Sequence, residues 1–211
     1  MRPGFLASDD LTASLQRAID ALQANAAVAA ALEAAPTVIR ESLPQVFAGS
    51  DFVAQSCARD ATLFPTLLAS GDLQRALAPA DFAARAPVLS TDAVSSEADA
   101  LAQLRRWRRY EMVRIAWRDL ADWADLPETL SDLTAFADAA IDLAVRYARA
   151  GLVARYGEPR SAEGVVQPLV VIAMGKLGGG ELNFSSDVDL VLLFPEHGET
   201  AGSRQVANEE F

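Results

Sequence analysis

Two aspartates spaced two residues apart, Asp187 and Asp189, stand between a glycine-rich segment and an apolar run. Side chains of an extended chain alternate between two faces, so both carboxylates are expected on one side, with Val188 and Leu190 on the other. Neighbouring negative charges repel one another unless a cation lies between them, and hard divalent cations prefer oxygen ligands. The pair therefore predicts a metal site, with Mg²⁺ as the expected ion and turn residues leading into a strand as the alternative.

The glycine-rich segment follows a continuous apolar run from Leu169 to Met174. This run is rich in valine and isoleucine and predicts a buried strand that ends at Gly175. Glycines allow a tight turn and bring backbone N–H groups close to a ligand. The segment therefore predicts nucleotide or phosphate binding, and its candidate residues are Gly175, Lys176, Gly178, Gly179, Ser185 and Ser186.

Simpler interpretations of this segment stay open. The three consecutive glycines suit a flexible turn, Lys176 suits a solvent-facing position, and Ser185 and Ser186 suit the capping of a turn. A Walker-type phosphate loop is excluded, because Gly175-Lys176 is followed by Leu177 and not by Ser or Thr. A dinucleotide-binding fingerprint does not fit either, since the glycine spacing is wrong.

The run from Gly175 to Leu190, with the sequence G-K-L-G-G-G-E-L-N-F-S-S-D-V-D-L, resembles the nucleotidyltransferase superfamily. Within it, the run resembles the family of glutamine synthetase adenylyltransferase/adenylyl-removing enzymes, which carry two nucleotidyltransferase domains in one chain. The sequence from Glu181 to Asp187 resembles that of the first, deadenylylating domain of the family. The resemblance extends upstream to the arginine-rich segment from Leu104 to Leu120.

This resemblance implies that AMP is removed from an adenylylated tyrosine of glutamine synthetase by phosphorolysis, which releases ADP. Asp187 and Asp189 would be the catalytic, Mg²⁺-binding residues. The implied partners are glutamine synthetase, the nucleotides ADP or ATP, and phosphate, and a contact with the PII signalling protein is left open. AMP transfer from ATP belongs to the other domain of the family, and the metal site alone does not distinguish the two reactions.

A third interpretation is a helical docking fragment without activity. The family supplies a further carboxylate from a later strand, and none is expected before Phe211. We therefore expect the chain to be the opening part of a longer enzyme, weakly active or inactive alone.

Composition favours a soluble, cytoplasmic protein. The 211 residues carry a formal net charge of −11, which disfavours binding to nucleic acid or to anionic membranes. The single cysteine, Cys57, permits no intrachain disulfide, and no basic leader with an apolar stretch follows Met1. No apolar run approaches the roughly 20 residues that cross a bilayer.

Apolar periodicity predicts a mainly α fold with a smaller α/β part. We expect an N-terminal helical array over residues 1–98, followed over 99–211 by long helices and the first two strands of an incomplete nucleotidyltransferase-type domain. One helix is predicted from Leu11 to Leu32, with Pro36 ending it, and the later prolines and glycines, Pro44 among them, divide residues 36–90 into short helices. Ser90 to Ser96 is predicted to be a loop.

Two long helices follow in this interpretation. The first runs from Asp99 to about Asp125 and is closed by Pro127; the second begins at a capping box of Thr129 and Asp132 and ends at Gly157. Beyond the aspartates, Glu196–Ser203 is predicted to be a polar loop and Arg204–Phe211 the start of another helix.

Six arginines, a third of the 18 basic residues, lie between Arg105 and Arg118. They suit phosphate groups or an acidic protein surface, and equally a solvated helix face that pairs with Glu111, Asp119 and Asp122. The three tryptophans are interpreted as core residues, His197 as an exposed turn residue, and Cys57 as a buried apolar residue.

Overall fold

The computed structural model describes residues 9–90 and 96–211. Its helices are α1 (Asp9–Gln23), α2 (Ala26–Ala34), α3 (Thr37–Gly49), α4 (Asp51–Arg59), α5 (Leu63–Ser70), α6 (Pro79–Ala84), α7 (Glu97–Leu120), α8 (Leu126–Tyr156) and α9 (Gly175–Gly178), with a 3₁₀ turn at Asp72–Gln74. Its strands are β1 (Pro159–Ser161), β2 (Val170–Ala173), β3 (Leu190–Leu193) and β4 (Gly198–Thr200). The predicted fold class, mainly α with a small α/β part, is confirmed.

The chain forms two compact units, one made of Met1–Leu77 and Arg106–Thr129 and the other of Ala78–Arg105 and Leu130–Phe211. The domain boundary predicted at residue 98 stays a prediction. The predicted loop at Ser90–Ser96 lies largely outside the described residues, because 91–95 are not described.

The first unit is a helical array whose core surrounds Trp117 of α7. The Trp117 ring stacks on Phe64, with 5.6 Å between ring centroids, and meets Phe47 edge-on at 5.8 Å. Its indole nitrogen donates a 3.0 Å hydrogen bond to the Ser42 hydroxyl, which satisfies the polar end of the buried ring. Trp117 and Trp107 are both buried, as predicted for core tryptophans.

The single helix predicted from Leu11 to Leu32 is wrong, because the structure divides it into α1 and α2. Asn25 begins α2: its side-chain oxygen accepts from the backbone N–H groups of Ala27 and Val28. An N-cap asparagine of this kind satisfies donors that the start of a helix leaves free. The apolar spacing continues across this break, so periodicity alone joined the two helices.

Three further helix boundaries differ from the prediction. Pro44 lies inside α3 and does not divide it. Pro127 lies in the first turn of α8, where proline is tolerated, and does not close α7. The predicted capping box is wrong, because Thr129 and Asp132 are buried within α8, while Asp125 accepts from the backbone N–H of Glu128 and caps the helix.

In the second unit, two antiparallel two-stranded sheets follow α8. One pairs β1 with β4, and the other pairs β2 with β3, so that Val170 lies opposite Leu193 and Ala173 opposite Leu190. The prediction of a loop over Glu196–Ser203 is wrong, since β4 lies within it. The helix predicted from Arg204 to Phe211 is also wrong, because that segment forms bends and turns and a β-bridge between Glu199 and Ala207.

The β2–β3 hairpin is apolar on both faces and only half buried, which contradicts the buried strand predicted for Leu169–Met174. Val170 and Ile172 are each 42% exposed on β2, and Leu192 is 59% exposed on β3. The strand itself is present, as predicted, because its β-branched residues favour an extended backbone. Burial of this strand requires other elements to pack on its faces, and the two strands of the hairpin do not cover those faces themselves.

Within residues 9–90 and 96–211, none of the helices combines the length with the apolar character that crossing a lipid bilayer requires.

Candidate functional site

The glycine-rich segment folds into a short helical turn, α9, placed directly against the end of β2. Gly175 enters the turn with φ +57°, in the left-handed region that favours glycine. A Cβ added to Gly178 would lie 2.3 Å from the carbonyl oxygen of Ala173. Gly178 is therefore required for the close approach of α9 to the strand, whereas a Cβ on Gly179 would meet its nearest atom at an ordinary 3.5 Å.

Two buried leucines and one hydrogen bond to α8 fix the end of this segment. Leu177 and Leu182 are 4% and 7% exposed. The backbone N–H of Leu182 donates to the hydroxyl of Thr134 on α8, and the backbone N–H of Glu181 donates to the carbonyl of Lys176. The long helix α8 thus holds the loop through Thr134, a contact that the sequence reasoning missed.

Asn183 organises the turn that follows. Its side-chain oxygen accepts from the hydroxyls of Ser186, at 2.7 Å, and Ser185, at 3.2 Å, while its backbone carbonyl accepts from the Ser186 N–H. Both serine hydroxyls therefore take part in turn formation in this state, which is one of the two roles that the sequence left open. Asn183 was missed as a positioning residue, although asparagine is among the residues that favour turns.

Asp187 and Asp189 lie between this turn and β3, and both are exposed. The backbone carbonyl of Asp189 accepts from the Met174 N–H at 2.9 Å, which extends the β2–β3 ladder by one bond beyond Leu190. The aspartates and the glycine turn therefore meet at the same end of the hairpin. Gly175 and Lys176 follow Met174 directly, so Asp189 and the start of the glycine turn lie at one end of one sheet.

Two exposed carboxylates fit a magnesium ion better than an ion that demands a full set of protein ligands. Mg²⁺ retains several water molecules and is commonly held by one or two carboxylates together with substrate phosphates. Among the residues that the structure describes, no group of three or more histidine, cysteine, aspartate or glutamate side chains could hold a metal. Asp187 and Asp189 remain the predicted Mg²⁺ ligands.

The arginine cluster of α7 divides into two groups. Arg114 and Arg118 are buried: Arg114 pairs with buried Glu111 at 3.1 Å, and Arg118 pairs with Glu128 at 2.6 Å. Arg118 also donates to the backbone carbonyls of Leu73 and Trp123. This group stabilises the first unit, whereas Arg105, Arg106, Arg108 and Arg109 are exposed.

His197 is exposed, as predicted, and pairs with the carboxylate of Glu209. The backbone hydrogen bond at Glu209 and the hydrogen bond with His197 together hold the pKa of the Glu209 carboxyl below its usual value. The His197 ring also meets Phe194 edge-on. His197 is therefore a surface residue near β4 whose ring contacts Glu209 and Phe194.

Cys57 is buried, which confirms its interpretation as a core residue. Burial, with a smaller contribution from the charge of Asp60, raises the pKa of its thiol to about 12. A thiol with this pKa stays protonated at neutral pH and is a poor nucleophile.

A family model described as glutamate-ammonia ligase adenylyltransferase matches residues 40–211. A bifunctional glutamine synthetase adenylyltransferase/adenylyl-removing enzyme of Thioalkalivibrio sulfidiphilus is 47% identical over 171 residues, which are 81% of this chain and 18% of that protein. The enzyme of the same name from Pseudomonas aeruginosa is 41% identical over 202 residues, 94% of this chain and 20% of that protein. The chain thus spans about a fifth of the length of these relatives.

Proposed function

Because the chain belongs to the glutamate-ammonia ligase adenylyltransferase family, we propose that it carries the phosphate- and metal-binding residues of a deadenylylating site. The substrate is an adenylylated tyrosine of glutamine synthetase, and the second substrate is inorganic phosphate. The observation that carries this proposal is the 2.9 Å hydrogen bond from the Met174 N–H to the Asp189 carbonyl, which places the aspartate segment beside the start of the glycine turn.

The proposed reaction exchanges one phosphorus–oxygen bond for another. A phosphate oxygen attacks the phosphorus of the tyrosine-bound AMP, the bond to the tyrosine oxygen breaks, and ADP and a tyrosine hydroxyl result after that oxygen takes up a proton. Bound Mg²⁺ would neutralise charge on the phosphate oxygens and align the attacking and leaving groups. Asp187 and Asp189 would hold that cation, and the close packing of the Gly178 turn on β2 helps to position the segment that carries them.

The remaining candidates position phosphate in this proposal. Lys176 is exposed beside the turn and supplies a positive charge, and the backbone N–H groups of the glycine segment supply donors. Ser185 and Ser186 act chiefly through Asn183, by holding the turn that leads to Asp187. A single cysteine, buried and protonated, suits a reducing compartment, and we propose the cytoplasm.

The second candidate function is the transfer of AMP from ATP to glutamine synthetase. The names of the family model and of the relatives include an adenylyltransferase activity, which favours AMP transfer as the second candidate. The same carboxylates would serve both directions, since each breaks and makes a bond at the phosphorus of AMP. The two are distinguished by whether AMP leaves or enters glutamine synthetase.

The test is intact-mass analysis of adenylylated glutamine synthetase incubated with the chain, Mg²⁺ and phosphate. Loss of the AMP mass with formation of ADP supports deadenylylation, and this loss is expected to disappear in Asp187→Asn and Asp189→Asn. Asp142→Asn is the matched control, because Asp142 is an exposed carboxylate on α8 and forms an ion pair only with Arg146 within residues 9–90 and 96–211. Gain of AMP from ATP on the unmodified enzyme would instead support the transferase.

A further inference from the structure

Four arginines on the first half of α7 are exposed in a chain with a formal net charge of −11. The acidic residues predicted to pair with them have other partners. Glu111 pairs with Arg114, Asp119 accepts from the Thr129 hydroxyl, and Asp122 accepts from the Gln45 amide. Of the pairings predicted for a solvated helix face, the described residues show that of Glu111 with Arg114, which is buried, and show none between these acidic residues and the four exposed arginines.

The exposed group is nearly free of ion pairs within the described part of the chain. Arg109 lies 3.8 Å from Asp60, a distant pair that leaves the arginine side chain 47% exposed. Arg105, Arg106 and Arg108 make no ion pair with any residue in 9–90 or 96–211. Unpaired guanidinium groups on a rigid helix keep their donors available for a partner.

Helix geometry places these side chains on one face. With about 100° between successive residues of an α-helix, Arg105, Arg106, Arg108 and Arg109 fall within an arc of about 160°. Trp107 lies on the opposite side of the helix from the middle of that arc, and it is buried. The arrangement is an arginine face on a helix whose other side is packed.

We propose that this arginine face, defined by Arg106, Arg108 and Arg109 of the first unit, binds carboxylates on the surface of the protein substrate. This inference rests on the proposed function for the identity of that substrate. All members are arginines, whose planar forks bind carboxylates in a bidentate way that lysine does not reproduce. In a chain with a net charge of −11, this face is a local positive surface that is complementary in charge to carboxylates.

A protein partner fits this face better than a nucleic acid. Nucleic-acid binding surfaces neutralise many phosphates with extended basic patches, and their domains are commonly basic overall. Here the basic face is confined to about one and a half turns of one helix in an acidic chain. A few directional arginine contacts are instead typical of a protein interface, where arginine is enriched.

The test is the affinity of the chain for adenylylated glutamine synthetase in the absence of free phosphate, at about 0.05 M ionic strength where screening is weak. We expect Arg106→Glu/Arg108→Glu to raise Kd by about 10-fold or more and to reduce its salt dependence. The lysine variant, Arg106→Lys/Arg108→Lys, retains the charge and is expected to lose about 3-fold, because only the fork geometry changes. Circular dichroism should be unchanged in both, since the side chains are exposed.

The control is Arg17→Glu/Arg146→Glu, which makes the same change in net charge at exposed arginines of α1 and α8. It should change Kd by less than about 2-fold. The inference would be overturned if the control and Arg106→Glu/Arg108→Glu lost affinity for glutamine synthetase equally. It would also be overturned if the wild-type chain did not bind glutamine synthetase. AMP release is measured separately: binding that depends on the arginine face without AMP release counts against the proposed reaction alone.

Discussion

Replacing Gly178 with alanine tests whether the packing of α9 on β2 sets the geometry of the candidate site. The added Cβ would lie 2.3 Å from the Ala173 carbonyl oxygen, about 1.1 Å short of the 3.4 Å at which ordinary contact begins. The carbonyl oxygen belongs to the backbone and the Cβ is bonded directly to it, so neither atom can rotate away as the end of a long side chain would. The turn or the strand must therefore move by about 1 Å.

The expected cost has two parts. Overpacking of this kind typically destabilises a protein by about 1–3 kcal/mol, which urea denaturation of the chain measures. A displacement of about 1 Å at a catalytic site can lower a rate by about 100-fold, which the AMP-release assay measures. Hydrogen exchange gives a local readout, because the Met174 N–H that donates to Asp189 should lose protection.

Gly179→Ala is the matched control, since its Cβ would meet the nearest atom, the Gly175 carbonyl oxygen, at 3.5 Å. Its backbone φ of −84° suits any residue, so alanine is expected to be neutral or slightly stabilising, by up to about 1 kcal/mol. If Gly178→Ala matched Gly179→Ala in stability and in exchange at Met174, the close approach would not constrain the site and the reasoning would fail.

Other predictions concern the core and the hairpin. Arg118→Ala should lower the free energy of unfolding by about 3–5 kcal/mol because it leaves the partly buried Glu128 unpaired, whereas Arg146→Ala, at an exposed pair, should lower it by less than about 1 kcal/mol; urea denaturation that gave equal losses would contradict this. Cys57 should resist iodoacetamide at pH 8 until the chain unfolds. Burial raises the pKa of the Cys57 thiol from 9.0 to about 12 in the folded chain, so the thiol of the unfolded chain ionises first as pH rises. The contribution of this thiol to the free energy of unfolding is therefore complete below pH 9 and is lost as pH rises toward 12. A Cys57→Ala variant whose stability fell with the same slope over that pH range would refute this prediction. Leu192→Thr, at a side chain 59% exposed, should reduce binding of an apolar dye while changing the free energy of unfolding by no more than about 0.5 kcal/mol, and unchanged dye binding would show that the hairpin is not the exposed apolar surface.

Periodicity predicted the helical character of the chain well because apolar spacing reports a helix face directly. Helix ends were predicted poorly, because they depend on single capping contacts. Asn25 divides one periodic run into two helices, and Asp125 takes the capping role that spacing had assigned to Thr129. The strand at Val170–Ala173 followed from β-branched residues, but its exposure did not, since burial depends on what covers a strand.

The candidate site was partly predictable for a similar reason. The spacing of Asp187 and Asp189 and the glycines are local features, and the structure places them at one end of the hairpin. The roles of Asn183 and Thr134 depend on turn geometry and on a contact 48 residues distant in sequence, which no local pattern reveals. The arginine cluster shows the same limit, because spacing alone cannot tell which arginines turn inward.

The half-exposed β2–β3 hairpin has a thermodynamic consequence for the carboxylates at its end. An isolated two-stranded hairpin is only marginally stable in water, so the ladder bond between Met174 and Asp189 depends on the elements that pack against the hairpin. Whatever covers the apolar faces of the hairpin therefore raises the population in which the two carboxylates are held in place. By linkage, a ligand that bridges Asp187 and Asp189 must strengthen the binding of that cover by the same factor.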